Sequence, residues 1–195
     1  MTPIRIAAWS GPRNISTAMM RAWENREDCV VSDEPMYAHY LQVTQLDHPG
    51  RDEVIAAGDT DLQRVIDTLR GPVPEDIGLL QQRTLFDAVA QRLGQAPPVF
   101  DAEAFLQAPE AQLRALCGRL GLDFSPRMLH WPPGPRASDG VWAPHWYDAV
   151  WKSTGFEPWR DKRVPLPPAL AAVAEACRPA YERLLACALA TDPID

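Results

Sequence analysis

The loop between residues 11 and 17 holds the residue types that bind an anion: Gly11, Pro12, Arg13, Asn14, Ser16 and Thr17. A glycine permits a tight turn, an arginine offers a forked cation, and hydroxyls can donate to phosphate or sulfate oxygens. After the loop, Met19, Met20 and Trp23 recur at helical spacing. They predict a helix that ends at about Asn25 and carries the two hydroxyls at its N-terminus. Because the first NH groups of a helix lack internal partners and the helix dipole adds positive charge there, the loop is predicted to bind an anion.

A simpler role for Ser16 or Thr17 is to cap the helix. The Gly-Pro-Arg sequence in front of them favours anion binding over capping alone. The loop is not a Walker A sequence, since that motif has a second glycine followed by Lys and Ser or Thr. Here Ile15 and Ser16 stand in the places of that glycine and lysine, so an ATPase or kinase is disfavoured.

The stretch WSGPRNISTAMMRAW, residues 9–23, resembles the 5′-phosphosulfate-binding loop of the sulfotransferase family, most closely a bacterial branch. The resemblance implies an α/β fold, a P-loop-type parallel β-sheet with helices on both faces, in a single domain over residues 1–195. It also implies transfer of a sulfuryl group from 3′-phosphoadenosine 5′-phosphosulfate to a hydroxyl or amine acceptor, without a metal. Donor-binding roles carry over to Arg13, Asn14, Ser16 and Thr17, with Gly11 and Pro12 shaping the turn.

Two short apolar runs predict the strands of this fold. Residues 4–9 read as a buried parallel strand and residues 29–31 as a second strand, with Asp33 and Glu34 at its end. Ligands of open α/β sheets bind at the carboxyl ends of the strands, so Glu34 is the leading candidate for a general base that deprotonates the acceptor. His39 is the second candidate, because the ordinary pKa of histidine lies near neutrality. Glu34 also fits an ordinary turn before proline, and His39 a surface or capping residue.

The resemblance breaks between Arg70 and Asp76. Sulfotransferases place further strands and helices there, including the Arg and Ser of the 3′-phosphate-binding motif, whereas Gly71-Pro72-Val73-Pro74 here leads straight into a helix. A strand-helix-strand unit needs about thirty residues or more, so its loss exceeds a loop change. We therefore expect fewer strands, and the alternative is a degenerate, non-catalytic nucleotide- or anion-binding protein.

The rest of the chain predicts helices and an aromatic segment. Residues 126–160 are dense in Trp and Pro, which predicts either a substrate-facing lid or wall or a well-packed surface loop. Val99 and Phe100 read as a short strand. Helices are predicted near 52–57, 61–69, 77–93 and 109–120, and in the C-terminal region of about 168–191, kinked or divided at Pro179.

Net charge and the lengths of the apolar runs limit the classes of partner that the protein is expected to bind. The net charge of −7 argues against nucleic acid, which selects a basic surface. No apolar run approaches membrane length and no signal-peptide pattern precedes residue 5, so the sequence predicts a cytoplasmic protein without a membrane partner. A small-molecule acceptor is expected, and the pattern does not specify an oligomeric state.

Overall fold

The computed structural model describes residue 4 and residues 6–10, 14–34, 37–45, 50–57, 78–161 and 165–190. Within these residues the regular secondary structure is helical, and none of the helices is long and apolar enough to cross a bilayer. The described α-helices are α1 Ser16–Glu24, α2 Tyr37–Thr44, α3 Arg51–Ala57, α4 Leu79–Leu93, α5 Ala102–Gln107, α6 Pro109–Leu120, α7 Ala143–Trp146, α8 Asp148–Lys152 and α9 Pro168–Leu185, with a 3₁₀ helix at Pro126–Met128.

The predicted α/β fold, with a P-loop-type parallel sheet between layers of helices, is wrong for the described residues. Neither apolar run forms a strand there, and Ile4, Ile6 and Trp9 are 61%, 43% and 54% exposed. Val30, in the second run, is 97% exposed. An apolar run becomes a buried strand only when neighbouring strands supply hydrogen-bond partners and other elements cover its faces. The described part of the chain supplies neither to these two runs.

The described residues form two isolated bridges instead of the predicted sheet. Val99 pairs with Ala188 in a parallel bridge, and the Leu189 backbone N–H donates to the Val99 carbonyl at 2.9 Å. His130 pairs with Gly155 in an antiparallel bridge. The predicted strand at residues 99 and 100 is therefore reduced to one paired residue.

The chain divides into two compact units. The first comprises Met1–Ser16, Gly71–Pro126 and Glu157–Asp195, and the second comprises Thr17–Arg70 and Arg127–Phe156. In the first unit α4 packs against α9. The predicted helix ends are confirmed, because Gly94 and Gly121 follow α4 and α6 with φ of 67° and 68°, the left-handed conformation that glycine adopts without strain.

Helix α9 runs through Pro179 without dividing, contrary to one form of the prediction. A proline inside a helix removes one backbone hydrogen bond and crowds the preceding turn. The neighbouring side chains of Cys177, Ala180 and Leu184 are buried, so packing holds this helix across the weak point. The helix predicted near residues 61–69 lies outside the described residues.

Asp101 caps α5, and its loss gives a first testable prediction. Its Oδ1 accepts from the Ala104 backbone N–H at 3.0 Å, and its Oδ2 accepts from the Tyr181 hydroxyl at 3.0 Å. Asp101→Ala should lower the free energy of unfolding by about 1 kcal/mol, the usual contribution of an N-cap. Asp101→Asn keeps a capping oxygen and should recover most of this loss. Urea unfolding of the three proteins checks the prediction, and equal stability of Asp101→Ala and wild type would contradict it.

In the second unit α2 packs against α3 around a hydrophobic core. Leu41 and Val54 are fully buried there, and they share the core with Trp142 and Tyr147 of the Trp- and Pro-rich segment. Trp131 is 4% exposed, and its ring contacts Phe156 edge-on at 5.1 Å between centroids. Much of this segment is therefore built into the core of the second unit.

Candidate functional site

The helix predicted to follow the candidate anion-binding loop is confirmed, since α1 begins at Ser16. Ser16 is exposed and Thr17 is half-buried, so the Ser16 side chain is accessible to solvent at the helix N-terminus. The Asn14 side-chain carbonyl accepts from the Ile15 backbone N–H at 2.8 Å. Residues 11–13, which include Arg13, lie outside the described residues, and the binding roles of the loop stay predictions.

Asp33 and Glu34 lie in the second unit, and Glu34 is the leading candidate for the general base. Residue 37 begins α2, and its backbone N–H donates to the Glu34 carbonyl at 2.9 Å. Glu34 has a φ of 32°, in the region that side-chain-bearing residues rarely occupy. Strained backbone of this kind clusters at functional sites, where surrounding contacts hold it.

Desolvation by nearby protein atoms raises the pKa of both carboxyl groups, although Glu34 is exposed and Asp33 is only half-buried. For Glu34 the cause is desolvation by its surroundings followed by the negative charge of Asp33, although the residue keeps contact with solvent. For Asp33 desolvation outweighs the hydrogen bonds that favour its charged form. Burial and the charge of Glu34 also raise the pKa of Tyr37 to about 12, so that phenol is neutral at physiological pH. A carboxylate with a raised pKa and access to solvent is suited to accept a proton.

The Trp- and Pro-rich segment supplies the partners of Asp33. The Tyr147 hydroxyl donates to Asp33 Oδ2 at 2.5 Å, and the Gly140 backbone N–H donates to the same oxygen at 3.3 Å. Trp142 Nε1 donates to the Tyr147 hydroxyl oxygen at 3.2 Å. The Trp142 ring also contacts the Tyr37 ring edge-on, at 5.2 Å between centroids. Sequence reasoning missed Tyr147 and Trp142 as site residues, and the only signal was the aromatic density of their segment.

The second candidate base, His39, lies in α2 and is 5% exposed. A general base must come within hydrogen-bond reach of the proton that it removes. Burial therefore makes His39 the less accessible of the two candidates, and both assignments stay predictions.

A buried ionic cluster ties the segment around residue 139 to α1. Arg21 is fully buried; its Nη2 pairs with Asp139 and its Nη1 pairs with Glu24 at 3.2 Å. Arg136 pairs with Glu24 at 3.0 Å, and the Ser138 hydroxyl donates to the same carboxylate. This cluster fixes the chain just before Gly140 and Trp142, so it supports the partners of Asp33. Among the residues with described positions, no group of three or more His, Cys, Asp or Glu side chains is arranged to hold a metal.

Comparison with known proteins identifies the family. A family model described as a sulfotransferase domain matches residues 4–74 and 70–187. The chain therefore belongs to the sulfotransferase domain family.

Two curated plant proteins are also similar to the chain. Branched-chain-amino-acid aminotransferase-like protein 2 of Arabidopsis thaliana is 31% identical over 201 residues, covering 77% of this chain and 36% of the relative. Branched-chain-amino-acid aminotransferase-like protein 1 of the same plant is 31% identical over 204 residues, covering 79% and 37%. The chain thus spans little more than a third of the length of these relatives. No solved structure matches the chain.

Proposed function

We propose that this protein transfers a sulfuryl group from 3′-phosphoadenosine 5′-phosphosulfate to a hydroxyl or amine of a small molecule. The observation that carries the proposal is the sulfotransferase-domain match, which includes both the loop before α1 and the Asp33–Glu34 pair. Two residues support it further. The exposed Ser16 hydroxyl at the start of α1 is available to bind the donor, and the carboxyl of Glu34, with its raised pKa, is suited to take the acceptor's proton.

In the proposed reaction the acceptor oxygen or nitrogen forms a bond to sulfur while the bond from sulfur to the phosphate oxygen breaks. Glu34 takes the acceptor's proton, and 3′-phosphoadenosine 5′-phosphate leaves with the electron pair of the broken bond. Arg13 and the NH groups at the start of α1 offset the negative charge that builds on the leaving oxygen. Asn14, Ser16 and Thr17 hold the 5′-phosphosulfate group by hydrogen bonds.

The second candidate function is a non-catalytic anion- or nucleotide-binding protein. Support comes from the division of the family match at residues 70–74, next to the break in the sequence pattern. The alignment with protein 2 extends over 201 positions but takes in only 77% of the 195 residues here, so the relative's matched region is longer. We infer that this chain lacks an internal segment that the relative has. Loss of this segment would weaken recognition of the 3′-phosphate.

Calorimetric titration separates the two functions. The chain is titrated with 3′-phosphoadenosine 5′-phosphate and, in parallel, with adenosine 5′-phosphate. Sulfuryl transfer from the full donor requires binding that is tighter for the nucleotide with the 3′-phosphate. Equal binding of both nucleotides would favour the non-catalytic alternative. Failure of the folded chain to bind either nucleotide would overturn sulfuryl transfer and the nucleotide-binding form of the alternative.

Arg13 gives the sharpest prediction within the loop. Arg13→Ala should weaken binding of 3′-phosphoadenosine 5′-phosphate by roughly tenfold to a hundredfold, because a hydrogen bond to a charged group contributes about 1.5–3 kcal/mol. Arg114→Ala is the matched control, since Arg114 is 55% exposed and pairs with Glu110 on α6. Its affinity should equal that of wild type. Unchanged affinity in Arg13→Ala would exclude Arg13 as the anchor of the 5′-phosphate.

A further inference from the structure

The two adjacent carboxyl groups of the site have different hydrogen-bond environments. Asp33 accepts from the Tyr147 hydroxyl and from the Gly140 backbone, both through Oδ2. Both of these donors go to Asp33 and neither goes to Glu34. We propose that the Tyr147 hydroxyl is a positioning group that holds Asp33 as the ionised carboxylate and leaves Glu34 as the one that takes the acceptor's proton. The second half of this inference rests on the proposed role of Glu34 as the base.

The direction of donation along the chain of hydrogen bonds from Trp142 through Tyr147 to Asp33 follows from which groups can donate. An indole N–H is a donor only, so Trp142 Nε1 must donate to the Tyr147 oxygen, which it approaches at 3.2 Å. The Tyr147 hydroxyl hydrogen is then available to Asp33, whose Oδ2 lies 2.5 Å from the phenol oxygen. Hydrogen bonds to an ionised carboxylate favour that form. The chain from Trp142 through Tyr147 therefore acts on the protonation state of Asp33.

The buried surroundings of Tyr147 keep its hydroxyl protonated, so that it remains a donor to Asp33. Tyr147 is 5% exposed and Trp142 is 9% exposed, and both belong to the core of the second unit. Burial and the hydrogen bond to Asp33 raise the pKa of Tyr147 well above that of a free phenol. Tyr147 is consequently a neutral donor throughout the range in which a carboxyl group titrates.

The other charges around the pair act on Asp33 from two sides. Arg21 of α1 favours the ionised form of Asp33, and Asp139 disfavours it. Glu34 interacts with the carboxylate of Asp33 and with the neutral phenols of Tyr37 and Tyr147. Like charges on adjacent carboxylates disfavour double ionisation. When Asp33 is held ionised, a proton bound to the pair therefore stays on Glu34.

The test is a titration of the side-chain carboxyl carbons by NMR on the full chain, in wild type and in Tyr147→Phe. In wild type the midpoint of Asp33 should lie below that of Glu34. Tyr147→Phe keeps the buried ring and removes the donor, so the Asp33 midpoint should rise by about one pH unit, the equivalent of one hydrogen bond. The Glu34 midpoint should fall in the same variant, because its neighbour is then neutral over part of the range.

Tyr37→Phe is the matched control, since it removes a phenol from the Glu34 side and should leave the Asp33 midpoint in place. An unchanged Asp33 midpoint in folded Tyr147→Phe, or a wild-type Glu34 midpoint below that of Asp33, would overturn the inference. If Tyr147→Phe does not fold, Asp33→Asn provides the second measurement. Removal of the neighbouring charge must then lower the Glu34 midpoint, and an unchanged midpoint would overturn the coupling between the two groups.

The titration uses neither donor nor acceptor, so it fails or succeeds independently of sulfuryl transfer. A protein that binds no nucleotide but shows the expected midpoints would keep the carboxylate arrangement and lose the proposed function. A protein that transfers sulfuryl groups but shows no effect of Tyr147→Phe on either midpoint would keep the function and lose this inference.

Discussion

Asp139→Ala is expected to lower the free energy of unfolding by about 3 kcal/mol, because removing one partner of a buried ion pair leaves a buried charge uncompensated. Asp139 is the partner of the fully buried Arg21. It also accepts from the Arg136 backbone N–H at 2.8 Å and from Trp151 Nε1 at 2.9 Å. Glu24 remains beside Arg21 at 3.2 Å in the variant, which places the loss at the low end of the usual range.

Two further variants separate the charge from other effects of the substitution. Asp148→Ala removes one partner of an exposed pair with Lys152, whose atoms lie 2.7 Å apart, and should change stability little. Arg21→Met on the Asp139→Ala background removes the uncompensated charge and should recover part of the loss. Urea unfolding followed by tryptophan fluorescence measures all four proteins. An Asp139→Ala protein as stable as Asp148→Ala would show that the buried pair contributes nothing.

The helices that were predicted correctly are those whose start and end signals lie within the helical segment itself. Helix α6 begins at a proline and is followed by Gly121 in the left-handed conformation, and both signals lie within the segment itself. The start of α1 at Ser16 was predicted for the same reason. Helix boundaries depend on residues close to them in the sequence, so they can be predicted from a single sequence.

The predicted strands were wrong because the pairing of strands depends on residues that are distant in the sequence. Residues such as Ile6 and Val30 have the composition of buried strands, yet both side chains are exposed in the structure. Whether an apolar run becomes a strand depends on partners elsewhere in the chain, which the run itself cannot specify. The site shows the same limit. Glu34 was predicted from its local position, whereas Tyr147, the hydrogen-bond partner of Asp33, lies 114 positions from Asp33 in the sequence.

Glu34→Gln is expected to lower the rate of sulfuryl transfer by roughly a hundredfold to ten-thousandfold, the usual contribution of a general base. The amide keeps the shape of the side chain but cannot accept the acceptor's proton, so affinity for 3′-phosphoadenosine 5′-phosphate should stay unchanged. The rate is measured as release of this nucleotide from the sulfated donor, with a panel of phenols, alcohols and amines as acceptors. Glu27→Gln is the matched control, because Glu27 is 80% exposed and pairs with Arg127 on the surface.

The pH dependence identifies the base. A carboxyl group works as a base only when ionised, so the wild-type rate should rise with pH through the raised pKa of Glu34 and then level off. This acidic limb should disappear in Glu34→Gln and persist in His39→Gln. If His39 were the base, the loss of rate and of the limb would follow His39→Gln instead. A Glu34→Gln protein with the wild-type rate and an unchanged acidic limb of the pH profile would remove Glu34 from the mechanism, because a glutamine amide cannot act as the base.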